Sequence, residues 1–290
     1  MNAIIFGITG QDGYYLERLL ALQGVGVIGV SRSTTPACDV TDYQAVSRLL
    51  ETHIPDYIFH FAADSTTRHE ALFRNHEAIA TGTVNILEAA RLHTPRARVF
   101  LSGSAVQFYN DGTPINESTP FHAYSPYAAA RIYSVYMARY YREAFGLSVY
   151  VGYLFNHDSP LRTENHVNQR IVRAVQAIRT GKNVTLEIGN PDVRKEFNFA
   201  GDIVAAMWTL VNQDAVYEAV LGSGIAHSIQ AWAHYCFQRA GLDWREHTVI
   251  RQGYAAEYAS LVSDPALIKS LGWKLETSFA ELADMMLEYV

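Results

Sequence analysis

The sequence predicts an α/β fold: a doubly wound parallel sheet followed by a smaller, mainly helical C-terminal lobe. Three observations predict it. Short β-branched runs alternate with helical patterns through the first half of the chain, three glycines separate the first run from the first helix, and the rhythm loosens beyond Asn156.

The first strand is "AIIF", and the helix after it places Leu16, Leu19 and Leu20 on one face. The runs "VGVIGV", "YIFHFA" and "RVFLS" read as further strands, with a helix through Ala80–Ala90 before the last of them. Helical spacing returns from Ser125 to Phe145 and stops at Gly146, and the strand "LSVYVGYLF" follows. Next comes the loop-like stretch "NHDSPLRTENH", a helix over Val167–Thr180, and short strands around "NVTLEIGNP". The remainder reads as helices near Gly201–Val211, Ser228–Ala240, Pro265–Leu271 and Thr277–Tyr289. The division expected is a first lobe over residues 1–155, rejoined by a segment near 196–212, and a second over 156–290.

With 290 residues, 49% apolar and 18% charged, the composition is that of an ordinary globular protein. A net charge of −6 without any basic run excludes a nucleic-acid binder but leaves room for a small anionic ligand held by a few local cations. No apolar run is long enough to span a membrane, and the N-terminus has no basic segment ahead of its apolar residues, so a cytoplasmic location is expected. Cys38 and Cys236 lie far apart without metal-ligand spacing, which fits a reducing compartment. His69 and His76 have no third ligand nearby and read as solvent-facing, so no metal is expected.

In "AIIFGITGQDGYYLERLL", Gly7, Gly10 and Gly13 have the spacing G-x-x-G-x-x-G between strand and helix. A plain turn needs one glycine; three allow the backbone to approach a pyrophosphate at a helix N-terminus. After the second strand, "GVSRSTTP" offers Arg32 and no carboxylate, which favours the 2′-phosphate of NADP(H) over NAD(H). Asp39 in "CDVTD" is expected near the adenine, with Thr41 or Asp42 as an alternative helix cap in the same segment. Tyr127 and Arg131 are four apart on one helix and so share a face, where a fixed cation favours the phenolate and makes the tyrosine a usable acid or base. Tyr133, Tyr136, Tyr140 and Tyr141 are better read as packing or as a helix-helix dimer face.

Together "GITGQDG", "SPYAAAR", "YREAFGL", "LFNHDSP", "GNPDVRKEFNFAGDIVAAMW" and "LGWK" resemble the extended short-chain dehydrogenases/reductases, closest to GDP-mannose 4,6-dehydratases and GDP-4-keto-6-deoxymannose reductases. The resemblance runs over nearly the whole chain. It implies a Rossmann lobe for NADP(H), a C-terminal lobe for a nucleotide-linked sugar, GDP being the nucleotide, and a homodimer or tetramer built through long helices.

It implies a cofactor set of Gly7, Thr9, Gly10, Gln11, Asp12, Gly13, Arg32, Asp39, Val40, Ala62, Ala63, Leu154, Tyr127 and Arg131. The family's catalytic tyrosine falls on Tyr127 and its lysine on Arg131, while its Thr-x-Glu falls on Gly103 and Ala105, with Ser104 between and Ser102 before. On the substrate side it implies Ser104, Asn156, Val167, Arg170, Arg194, Lys195 and Glu257, with Tyr254 replacing an arginine. The stretch between the second strand and "DVTD" is shorter than in the dehydratases and nearer the reductases in length.

These departures separate two reactions. A 4,6-dehydratase removes the C5 proton and expels the C6 hydroxyl, which needs a positioned carboxylate, and Ala105 has none. Reduction or oxidation at C4 needs the tyrosine, a hydroxyl such as Ser104 or Ser102, and the cofactor. The expectation is therefore an NADP(H)-dependent oxidoreductase acting at C4 of a GDP-linked keto- or deoxyhexose. The alternatives are a dehydratase with altered acid-base groups, or a binding protein that retains ligands but has weakened catalysis.

Overall fold

The computed structural model describes residues 1–289. The first half runs β1 (Asn2–Phe6), α1 (Gln11–Leu22), β2 (Gly26–Val30), α2 (Tyr43–His53), β3 (Tyr57–His60), α3 (Leu72–Asn75), α4 (Gly82–His93), β4 (Arg98–Ser104), α5 (Pro126–Phe145) and β5 (Ser148–Leu154). There follow β6 (His157–Asp158), α6 (Val167–Arg179), β7 (Leu186–Ile188), β8 (Arg194–Glu196), β9 (Asn198–Phe199), α7 (Ala200–Val211) and β10 (Glu218–Leu221). The chain closes with β11 (Ala226–Ser228), α8 (Ile229–Gln238), β12 (Thr248–Ile250), β13 (Ser260–Leu261), α9 (Ala266–Ser270) and α10 (Phe279–Glu288).

The central sheet has the order β10-β5-β4-β3-β1-β2 and every pairing in it is parallel. Its strands are apolar on both faces because both faces are covered. On one side α2, α4 and α5 contribute Leu50, Ile86 and Val135 to a core with Ile4, Ile58 and Val99. On the other, α1 and α7 pack Leu16, Leu20, Ile203 and Met207 against Ile5, Phe59 and Phe100. β1 lies between β2 and β3, so the chain reverses its direction of winding there and opens a crevice beyond the strand ends. A third apolar cluster, with Trp232, Phe237, Ile171 and Met286, joins α6, α8 and α10 away from the sheet.

Two features differ from the sequence reading. β10, "EAVL", completes the main sheet beside β5, although four residues flanked by polar ones give little periodicity to read. The last third also carries two small sheets, β11-β8-β13 and β12-β7; β7 falls in the expected stretch "NVTLEIGNP", while the two- and three-residue β11, β12 and β13 exist only through long-range pairing. The α5 tyrosines divide: Tyr141 is packed in the core, while Tyr133, Tyr136 and Tyr140 are 45%, 57% and 52% exposed and form a surface ridge. His69 and His76 face solvent. No helix of the described residues is long and apolar enough to cross a membrane.

Candidate active-site cleft

A cleft of about 600 Å³ runs across the sheet's C-terminal edge, from the glycine turn to the loop before β13. At its first end Gly7 has φ 91°, and a Cβ there would meet the Ala62 nitrogen at 2.7 Å. A Cβ on Gly13 would meet the Ile8 backbone at 2.6 Å, which lets α1 lie close to the turn. Gly10 precedes α1 and lines the cleft, with nothing beyond Gly7's own oxygen near its missing side chain. This is a cradle that side chains would fill, at the N-terminus of a twelve-residue helix, and it fits a dinucleotide pyrophosphate.

Thr9, Gln11, Asp12, Ala63 and Leu154 line the same end. The side chains of Gln11 and Asp12 are tied to the loop after β5: Ser159 Oγ donates to Gln11 Oε1 at 3.0 Å, and His157 Nε2 lies 3.0 Å from Asp12 Oδ1. Burial alone would lower the His157 pKa, but the Asp12 carboxylate outweighs it and the pKa is raised. Burial would likewise raise that of Asp12, and His157 turns it downward. The pair is an ion pair that pins α1 to the far side of the cleft.

Arg32, Asp39, Val40 and Ala62 lie outside the cleft's lining. Arg32 is exposed just past edge strand β2. Asp39 holds a turn: its Oδ1 accepts from the Thr41 N–H at 3.0 Å and its hydroxyl at 2.9 Å. Asp42 caps α2. Val40 is buried, with its carbonyl accepting from Asn85, and Ala62 backs Gly7.

At the centre, Ser125 caps α5 by accepting from the Ala128 N–H, Pro126 starts the helix, and Tyr127 follows facing the cleft. Arg131, one turn on, is 5% exposed. Its Nη1 donates to the Ser102 carbonyl at 2.5 Å and its guanidinium lies over the Tyr127 ring, 5.1 Å from the centroid. It thus clamps α5 to β4 while remaining against the tyrosine. Ser102 loses its place as a proton donor to a ligand, because its hydroxyl donates to the His60 carbonyl at 2.8 Å. Ser104 keeps that place: its N–H donates to Gln107 Oε1, and its hydroxyl proton has no acceptor among the described residues.

Gly103 is not an empty position. A Cβ there would meet the Tyr153 ring at 2.7 Å, so the ring fills the volume of the missing side chain. Tyr153 is held in turn by Glu218, to which it donates at 2.6 Å. Burial would raise the Glu218 pKa, yet hydrogen bonds from Arg139, Tyr153 and Arg142 bring it down to about 2.

The far end differs most from the sequence reading. Asn156 lines the cleft with a buried Oδ1 that has no hydrogen-bond partner among the described residues, and Glu257 lines it while accepting a hydrogen bond from Thr67. Val167, Arg170, Arg194 and Lys195 do not reach the cleft. α6 turns Ile171, Val172 and Val175 into the third core, which sends Arg170 outward to donate to the Glu187 carbonyl, and Val167 packs beside that core. On β8, alternation leaves Arg194 exposed, donating to the Ala226 carbonyl, and turns Lys195 inward. Burial lowers the Lys195 pKa against the pull of Asp158.

The arginines that line the cleft among the described residues are instead Arg68, Arg131 and Arg162, with His166 beside the last. Arg162 Nε lies 3.3 Å from the buried Asp158, and Nη2 donates to His166 Nδ1 at 3.1 Å. Burial first, and then Arg162, bring the His166 pKa down to about 4, so its ring is neutral and able to accept. The available sequence signal was local: Arg162 and His166 are four apart in the loop after "LFNHDSP".

A family model described as GDP-mannose 4,6 dehydratase matches residues 4–286. The chain is 33% identical to GDP-mannose 4,6 dehydratase 2 of Arabidopsis thaliana over 319 aligned residues, covering 99% of this chain and 86% of that one. Among solved structures it superposes on a UDP-glucose 4-epimerase of Thermus thermophilus in complex with NAD, with a TM-score of 0.86, 19% identity, and 100% and 98% of the two chains covered. It also superposes on RMD of Pseudomonas aeruginosa complexed with NADPH, with a TM-score of 0.85, 21% identity, and 99% and 97% covered. At those identities the two structures establish the shared fold.

Proposed function

The chain belongs to the GDP-mannose 4,6-dehydratase family of extended short-chain dehydrogenases/reductases, and from that premise we propose an NADP(H)-dependent oxidoreductase acting at C4 of a GDP-linked keto- or deoxyhexose. It is an enzyme of an NAD(P)-dependent class. One observation carries the finer reading: Tyr127 and Ser104 face the cleft together, while alanine stands where elimination needs a carboxylate.

The glycine turn would hold the cofactor pyrophosphate, His157 closes that end of the cleft against Asp12, and Arg32 past β2 suits a 2′-phosphate. Bound there, the nicotinamide supplies or takes a hydride at C4. Tyr127 gives its phenolic proton to the C4 oxygen in reduction and recovers it in oxidation, and Ser104 donates a hydrogen bond to the same oxygen. Arg131 lies over the face of the tyrosine ring and holds it in place against the cleft. Asn156, with its buried acceptor, and Arg68 are available to the nucleotide sugar. The exposed ridge of Tyr133, Tyr136 and Tyr140 supports pairing of two copies through α5.

A second reading is favoured by Glu257, whose carboxylate lines the cleft together with Ala105. In that reading the chain is a dehydratase whose acid-base group has moved to the opposite wall. The two are separated by incubating the protein with NADPH and a GDP-4-keto-6-deoxyhexose, and separately with GDP-mannose and NADP⁺. Loss of reduced-nicotinamide absorbance with the first and unchanged GDP-mannose in the second support C4 reduction. A 4-keto-6-deoxy product from GDP-mannose overturns it in favour of the dehydratase, and binding of both ligands without turnover leaves a binding protein.

A further inference from the structure

The cleft has a branch. Beyond Ala105 a second cavity of about 330 Å³ opens between the end of β4, the residues before α5 and the loop before β13. It shares Thr67, Ala105, Val106, Glu257, Tyr258 and Leu261 with the main cleft and none of the glycine turn, so it adjoins the sugar end. Ala105 is 2% exposed, its methyl otherwise packed in the core. A longer side chain at 105 would therefore have to enter the shared opening, where the alanine leaves room.

We propose that this branch is a sugar-substituent subsite, and that the C4 chemistry proposed above is directed to a nucleotide sugar longer than a plain hexose, with a hydroxylated carbon extension on the C5–C6 side of its ring. This rests on the reading of the cleft as a nucleotide-sugar site. The resemblance puts the elimination carboxylate of the dehydratases at position 105, a group that must reach the C5 proton and the C6 hydroxyl, and the branch begins at that position. Its volume of about 330 Å³ is far more than the methyl of a 6-deoxy sugar would fill.

The walls select the chemistry. Val106, Phe108 and Leu261 supply apolar surface for a carbon chain. Ser125 Oγ already accepts from the Ala128 N–H and so presents its proton, the Tyr124 hydroxyl has no partner among the described residues, and Glu257 has a second oxygen beyond the one bonded to Thr67. The Asn110 amide is occupied by the Ser260 carbonyl and the Gly112 N–H. Two hydroxyls and a carboxylate suit neutral hydroxyl groups. The same carboxylate repels an acidic substituent, so a uronic acid is disfavoured.

Equilibrium binding to the NADPH-loaded protein tests this with three probes: GDP-mannose, the one-carbon-longer GDP-manno-heptose, and GDP-mannuronate. The heptose should bind about tenfold more tightly than the hexose, the scale on which an added carbon in a fitting pocket is recognised, and the uronate more weakly than either. Ala105→Leu, which fills the opening, should bring the heptose-to-hexose ratio to one or below. Tyr124→Ala, at an exposed position where folding is not at issue, should reduce it as well, with unchanged NADPH binding as the check. Hexose binding with a heptose ratio at or below one in the unmodified protein overturns the subsite and leaves the nucleotide-sugar reading intact, as does tighter binding of the uronate. Binding of none of the three sugars while NADPH binds overturns both.

Discussion

The two ends of the cleft are built by different means. At the glycine turn, residues close in sequence do the work: Gly7, Gly10 and Gly13 within one turn, and Tyr127 and Arg131 within one helix. At the sugar end, Thr67, Asn156, Arg162 and Glu257 come from four separate loops and meet only because the fold brings them together. Local spacing fixes the first end. Long-range packing fixes the second, and the difference predicts which substitutions abolish function and which hardly register.

Tyr127→Phe is the largest expected effect, because it removes the one proton donor that the centre of the cleft contributes from a helix. Turnover of a GDP-4-keto-6-deoxyhexose should fall by about 10² to 10⁴ while NADPH affinity changes little, since general acid help is worth that much. Stopped-flow oxidation of NADPH together with a fluorescence titration checks both halves. An equal loss in affinity would mean that the tyrosine packs the cleft and does no chemistry in it.

Gly103→Thr sharpens the comparison at the boundary between the two ends. Restoring a threonine looks like repair from the sequence, yet the Tyr153 ring holds that space at 2.7 Å and is itself tied to Glu218. The variant should lose about 1–3 kcal/mol of stability by overpacking and gain no dehydratase activity. In a Tyr153→Val background, itself destabilised, adding Gly103→Thr should cost much less than it does alone in a denaturant titration. A stable, active single variant would show that Tyr153 moves aside freely.

How much was legible follows the same division. The six-stranded sheet was readable in five of its strands because each is a short apolar run bounded by polar or glycine residues, and the glycine turn because its spacing has few other uses. Arg170, Arg194 and Lys195 were placed at the cleft by correspondence of position, and packing decided otherwise: the apolar stripe of α6 sets which way Arg170 points, and β-alternation turns Lys195 in and Arg194 out. Asp39 adds a local contact, since Thr41 lies two residues on and its hydroxyl and N–H both donate to Oδ1 of the exposed carboxylate. Nothing in the sequence signals that Tyr153 would occupy the space at Gly103, because the contact runs between two strands.

The Asp12–His157 pair ties one end to the other, and its pH dependence has a definite sign. The His157 pKa is raised above 6.5, so its contribution to stability is complete below that value and is lost as pH rises through the raised one. The Asp12 pKa is depressed below 3.8, so its contribution is present above that value and is lost as pH falls through the depressed one. The stability difference between the unmodified protein and His157→Gln should therefore be greatest between those limits, at about 1–3 kcal/mol, and should shrink on the alkaline side. Thermal unfolding across the range measures it. A difference independent of pH would mean that His157 contributes by packing alone.

The smallest expected effect is the most discriminating, because it sets correspondence of position against observed geometry. Arg170 is turned away from the cleft by the phase of α6, with its guanidinium on the Glu187 carbonyl, while Arg162 lines the cleft between Asp158 and His166. Arg170→Ala should change the affinity for NADPH and for a nucleotide sugar by less than about twofold, as expected of an exposed side chain away from the site. Arg162→Ala should weaken at least one of them by about tenfold, the value of a charge-assisted contact to an anionic ligand. If Arg170 proves the more important, α6 must rotate when ligand binds. The third core, where Ile171 and Val175 now pack, would then have two arrangements separated by a small free energy.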